Sequence, residues 1–191
     1  MEGKLRVLVL IFIFVSHLSG WGAYKLLGAE ENGEGWVTVD SELFTISYPK
    51  EVDMKRINRR IDTRFIDVDL PATLPAERNP EKLLAYKFEQ IFRKVEKILD
   101  MYPRGIHINV KIYRNAEELP MVGQGISGGI NKASSFYIHK QRTIYTTVKD
   151  ISEAVVSHEI AHSIIDHYFV VLPPRKVQEL LANYVETHLE D

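Results

Sequence analysis

The sequence predicts an α+β domain: a mixed sheet, one long helix packed on it, and two further helices at the C-terminal end. Three observations carry this. Residues 43–48 and 106–112 alternate apolar and polar side chains with the period of two of a half-buried strand. Between them, Leu84, Phe88, Ile91, Val95 and Ile98 recur at three- and four-residue spacings, which marks a helix with one buried face. Roughly the last 40 residues carry two more helical patterns, separated by Pro173 and Pro174. At 191 residues and 45% hydrophobic content the chain suffices for one packed domain and is too short for two of typical size.

The elements follow in order. Lys4 and Arg6 precede the apolar run 7–15, and the small residues Ser19, Gly20, Gly22, Ala23, Gly28 and Ala29 come after it. This is the layout of a signal peptide. A softer apolar stretch continues to Leu27, so an uncleaved segment would serve as a membrane anchor, although His17 and Lys25 interrupt a clean span. Residues 1–29 are therefore expected to be a signal peptide or anchor and residues 30–191 the domain, exported to a periplasmic or extracellular location. In the domain, Phe44, Ile46 and Tyr48 share one side of a strand that stops at Pro49. Residues 55–64 read as a basic amphipathic helix and 65–70 as a short strand. Asn79 and Pro80 open the long helix, which runs to about Met101, because asparagine caps and proline suits the first turn. The strand 106–112 follows, then a loop over 123–131 with four glycines. Residues 136–139 and 143–148 form a hairpin leading into the first C-terminal helix. That helix is capped by Asp150 or Ser152 and carries Glu153 in its first turn, where the helix dipole favours an acid. Residues 175–190 make the last helix, with Val177, Leu180, Leu181, Tyr184, Val185 and Leu189 as its apolar stripe.

The chemistry-bearing segment is His158-Glu159-Ile160-Ala161-His162. Histidines four apart stack on one helical face and can hold one Zn²⁺, with a coordination position left for water. Glu159, one residue on, reaches that position and can take a proton from the water. The surrounding Val155, Ile160, Ala161, Ile164 and Ile165 place these polar groups in a largely buried helix, where they require partners. A third ligand must come from elsewhere. Asp166 and His167 lie too far along the same helix and read as a surface acid and a C-terminal cation. The next helix offers Glu179 and Glu186, and antiparallel helix geometry alone does not choose between them.

Taken together, the His158–His162 motif, a proline turn, and then Glu179-Leu180-Leu181-Ala182-Asn183-Tyr184 resemble the peptidase MA-like group of gluzincin metallopeptidases. That group carries its glutamate ligand in a segment of the form E-G-L-A-x-Y. The resemblance implies Glu179 as third zinc ligand, Ala182 as a close-packing residue, Tyr184 in the helix packing and Asn183 as an amide that orients a ligand histidine. Leu180 stands where the group has glycine. The element order is similar to the N-terminal subdomain of zincins, which implies a zincin-like fold and peptide binding by pairing with the strand before the zinc helix, near residues 143–147. The chain stops just after the glutamate helix, so the cleft is expected to be open or completed by a partner.

The expected function is hydrolysis of peptide bonds in a peptide or protein substrate, with Zn²⁺ on His158, His162 and Glu179 and with Glu159 as general base. Tyr137, His139, Tyr145 and His167 are the candidates for stabilising the oxyanion, and the sequence selects none of them. A zinc-stabilised module that binds peptides or proteins without turnover is the alternative. The absence of cysteine excludes disulfides, thiolate ligands, a cysteine nucleophile and a lipoprotein anchor. A net charge of −2, more acidic once Lys4, Arg6 and Lys25 are set aside, does not fit a nucleic-acid binder. No apolar stretch after residue 29 is long enough to place the motif inside a membrane.

Overall fold

A computed structural model describes residues 30–32, 35–66, 79–119 and 135–191. The residues form six strands, β1 (Glu30–Asn32), β2 (Trp36–Asp40), β3 (Phe44–Pro49), β4 (Ile108–Tyr113), β5 (Phe136–Ile138) and β6 (Thr143–Thr147), and four helices, α1 (Met54–Arg60), α2 (Pro80–Leu99), α3 (Glu153–Tyr168) and α4 (Arg175–Thr187). All strands join one mixed sheet in the order β1-β2-β3-β4-β6-β5. The centre is parallel, with β3 beside β4 and β4 beside β6, while β1, β2 and β5 pair antiparallel with their neighbours. The α+β class read from the sequence is the one observed.

Burial follows the alternation. Phe44 and Ile46 on β3 and Ile108, Val110 and Ile112 on β4 are fully buried, with Lys111 exposed between them. Helix α2 lays its apolar row on this face, and Phe44 meets Phe88 and Phe92 edge-on at 5.4 and 6.1 Å between ring centres. Each such side chain removed from water contributes about 1.5–3 kcal/mol, so this aromatic knot anchors α2 to the sheet. Asn79 caps α2 by accepting from the Lys82 amide, and Asp100 ends it in the left-handed region, φ 51°.

Helix α1 is shorter than expected and ends at Arg60. Its end steadies the start of α3. Arg60 donates to the carbonyls of Ile151 (3.1 Å) and Lys149, and the Asp62 amide donates to Glu153 at 3.0 Å. Lys87 of α2 in turn donates to the α1 carbonyls of Asn58 and to that of Ile61.

Several expectations change. The sheet begins upstream of Leu43, because β2 and β1 add an antiparallel ladder to β3. Of the expected strand 65–70, Phe65 and Ile66 are in a turn and the rest lies outside the described residues, as do residues 1–29 and the loop 123–131. Strand β6, expected to offer an edge to peptide, is paired on both sides, by β4 and β5, and all five of its residues are buried. A strand hydrogen-bonded on both sides has no free donors or acceptors for a third. Among the described residues, the edge on this side is β5. Among the described residues, no helix is long and apolar enough to cross a membrane.

Candidate metal centre

Helix α3 forms where the sequence places it. The Ser152 hydroxyl accepts from the Val155 amide at 3.3 Å, Glu153 sits in the first turn, and Ile160, Ala161, Ile164 and Ile165 are fully buried. Phe169 lies outside the helix, and after Pro173 and Pro174 the chain turns back as α4, with the Gln178 side chain donating to the Pro173 carbonyl at 2.8 Å. The two helices pack antiparallel through Ala182 and Val185 of α4, which brings the Glu179 side of α4 over the histidine face of α3.

His158, His162 and Glu179 come together and could hold a metal ion. The two Nε2 atoms face one another at 3.2 Å, and Glu179 Oε2 lies 3.6 Å from His158 Nε2 and 3.7 Å from His162 Nε2. Three atoms with these separations lie on a circle of radius about 2.0 Å, so one ion near its centre would meet all three at ordinary metal–nitrogen and metal–oxygen bond lengths. Both imidazoles are mostly buried, with side-chain exposures of 19% and 14%, and Glu179 is 40% exposed. The outer side of the site is therefore open to solvent. Burial, and then His158, hold His162 below its ordinary pKa, which favours the neutral ring that ligates metals. Arg175 lies one turn before Glu179 and approaches its other oxygen, Oε1, at 3.4 Å, which helps to fix the carboxylate.

Glu159 is buried, and its pKa is pushed up to about 8. Burial is the main cause; the backbone N–H of Tyr137 on β5 opposes it by hydrogen bonding, while the carboxylates of Glu179 and Glu186 add to it. A cation at the neighbouring ligands would act in the opposite sense. Glu159 thus meets strand β5 through the Tyr137 amide and lies close enough to Glu179 and Glu186 to be acted on by their charge.

Glu186, the other acid that the last helix offers, meets the far side of the first histidine: its Oε2 lies 3.3 Å from His158 Nδ1. Glu186 follows Glu179 by seven residues, so the two share a face of α4. Because α4 runs antiparallel to α3, the later acid meets the earlier histidine. That spacing was the available signal. Asn183, expected to orient a histidine, is exposed, and its carbonyl accepts from Thr187 at 3.0 Å. At about 100° per residue it is turned some 40° from Glu179 toward solvent.

Other expected roles are also revised. Asp166 is not a surface acid: its side chain is 6% exposed, accepts from the Tyr137 hydroxyl at 2.8 Å and contacts His139 Nδ1. His167 is largely buried, and its Nδ1 bonds the Ser163 carbonyl at 2.8 Å. Tyr145 stacks between Phe136 and Tyr113, with its hydroxyl on Gln141. Of the α4 stripe, Val185 and Leu189 are buried with Ala182. Val177, Leu180 and Tyr184 are exposed, and Tyr184 stacks on His188 rather than in the helix packing. No protein-family model, no curated protein and no solved structure matches this chain.

Proposed function

We propose that this chain is a zinc-dependent peptidase of zincin-like architecture, exported by residues 1–29, with His158, His162 and Glu179 as the zinc ligands. The observation that carries the reading is the convergence of two imidazole nitrogens and one carboxylate oxygen on a single point about 2.0 Å from each, a donor set and spacing that suit zinc. When bound, the ion supplies Lewis-acid polarisation of a water and of the scissile carbonyl.

The protein's own residues would do the rest. Glu159 takes the proton of the attacking water and passes it to the departing amine nitrogen. Burial raises the pKa of this carboxylate and a bound cation would lower it again, so in the loaded site the two effects oppose one another and leave a group that can take up a proton and give it back. The Tyr137 amide orients the carboxylate, and Glu186 fixes the His158 ring through Nδ1. An extended peptide would run along β5, the edge strand among the described residues, beside Glu159, in the strand-addition mode, with the Tyr137 amide left on Glu159.

The test measures zinc content and casein cleavage for the wild type and Glu159→Gln. Equal zinc and a loss of cleavage of about 100-fold or more in the variant is the expected result. Equal cleavage by the two proteins refutes the reading. A metal-stabilised binding module is the second reading, and it draws on the exposed apolar side chains Val170, Val171, Val177, Leu180 and Tyr184. Stoichiometric zinc that raises thermal stability, with no cleavage of casein or of a mixed peptide library, would favour it.

A further inference from the structure

Outside the ligand cluster, one group of polar side chains is built with unusual care. The Asp166 carboxylate, buried at the end of α3, takes the Tyr137 hydroxyl on Oδ2 and contacts His139 Nδ1 through Oδ1. Both partners come from the edge strand or the turn that follows it. A carboxylate on Nδ1 fixes the imidazole and directs Nε2 away from the protein, and the His139 side chain is 59% exposed.

The position of this histidine follows from helix and strand geometry. Counted from His158 at 100° per residue, His162 lies at about 40°, Asp166 at about 80° and Glu159 at about 100° around α3. Asp166 is thus on the angular sector between the ligands and the general base, one turn beyond His162. The edge strand spans the same interval, because the Tyr137 amide meets Glu159 and His139 meets Asp166. Tyr137 lies in β5 and His139 opens the turn that follows, with its ring on Asp166, which puts an offset of about two strand residues between the ring and Glu159. That offset matches the side chain two residues from the scissile carbonyl of an extended peptide.

The turn that carries His139 is also cationic. Lys140 and Arg142 are both exposed in the turn that joins β5 to β6, and Arg142 lies close enough to Tyr137 to act on it electrostatically. We propose that His139, positioned by Asp166 and assisted by this basic turn, is a specificity residue that selects peptides with a glutamate or aspartate two residues to one side of the cleaved bond. The proposal rests on the peptidase reading. A substrate carboxylate on Nε2 would complete a bridge from acid to acid through a ring whose inner contact, Asp166 on Nδ1, is already made, so the ring is not ordered anew on binding.

The experiment uses a peptide series that varies one position at a time, three residues either side of the bond, among Glu, Gln and Lys. It measures kcat/KM for the zinc-loaded wild type, His139→Ala and Asp166→Asn. At one position two residues from the bond, the wild type is expected to prefer Glu over Gln by about tenfold. His139→Ala should bring that ratio near one, chiefly by lowering kcat/KM for the Glu peptide. Because the ratio is taken within one preparation, partial misfolding of a variant does not move it. A wild type that cleaves the series without preference, or a ratio unchanged in His139→Ala, overturns the specificity role and leaves the peptidase reading standing. A wild type that binds zinc and cleaves no member of the series ends both.

Discussion

Single side chains decide whether the ligand cluster is rigid, and Glu186 is the clearest case. His158 is held on both ring nitrogens: Nε2 faces the other donors, and Nδ1 faces the Glu186 carboxylate at 3.3 Å. A carboxylate on the far nitrogen sets the tautomer and raises the basicity of the ligating atom. Glu186→Gln should weaken zinc binding by about 10- to 100-fold, read by competition with a chromogenic chelator. Asn183→Ala should leave the affinity unchanged, because that side chain lies in solvent. An equal loss in both variants would mean that the α4 helix, rather than the carboxylate, carries the effect. The meeting of His158, His162 and Glu179 is legible in the sequence because the helical repeat alone puts the two histidines together and the resemblance supplies Glu179. Glu186 and Asp166 are not. Their roles depend on what stands opposite, on α3 for one and on β5 for the other, and neither partner follows from the spacing within a single helix.

Elements were legible where a periodic pattern was long. Helix α2 begins at the proline after the predicted Asn79 cap, and its expected apolar row lies on the sheet. Strand β2 is hard to read from the sequence although Trp36, Val37, Thr38 and Val39 favour a strand, because five residues with little burial alternation give a weak periodic signal. The edge position of β5 was hidden for a different reason: hairpin strands are equivalent until the rest of the sheet pairs with one of them. The junction of β3 and α2 yields a pH prediction. Tyr48 of β3 is buried, and its pKa is pushed up to about 12, by burial first and then by the Glu81 carboxylate in the first turn of α2, to which its hydroxyl donates. Unfolding returns this phenol to about 10, so between pH 10 and 12 the unfolded chain binds fewer protons than the folded one. Stability contributed here is complete below pH 10 and falls as pH rises toward 12. Urea midpoints measured across that window should drop less steeply in Tyr48→Phe than in the wild type. Parallel slopes would assign the alkaline loss to other groups.

At the scale of the whole molecule, a metal at the candidate site would join a well-buried helix to a sparsely buried one. Helix α3 buries eight of its residues, whereas α4 buries only Ala182 and Val185, exposes Val177, Leu180 and Tyr184, and starts without a side-chain cap. A helix of 13 residues is marginal in isolation, so α4 depends on its contacts with α3 and on any bond that Glu179 makes across to the histidines. Amide exchange should reveal this as an order of protection. In protein stripped by a chelator, amides of α4 should exchange faster than those of α2 and β3, which are held by the aromatic knot around Phe44. Adding zinc to about a thousand times its dissociation constant should slow α4 exchange by up to about a thousandfold, since opening α4 would then break the ligand set. Local openings of β2, near the opposite edge of the sheet, leave the ligands in place and should be unaffected by zinc. If α4 is as protected as α2 without metal, or if zinc slows β2 as much as α4, the ion does not act as the clasp between the two C-terminal helices, and the stability of α4 must come from its packing alone.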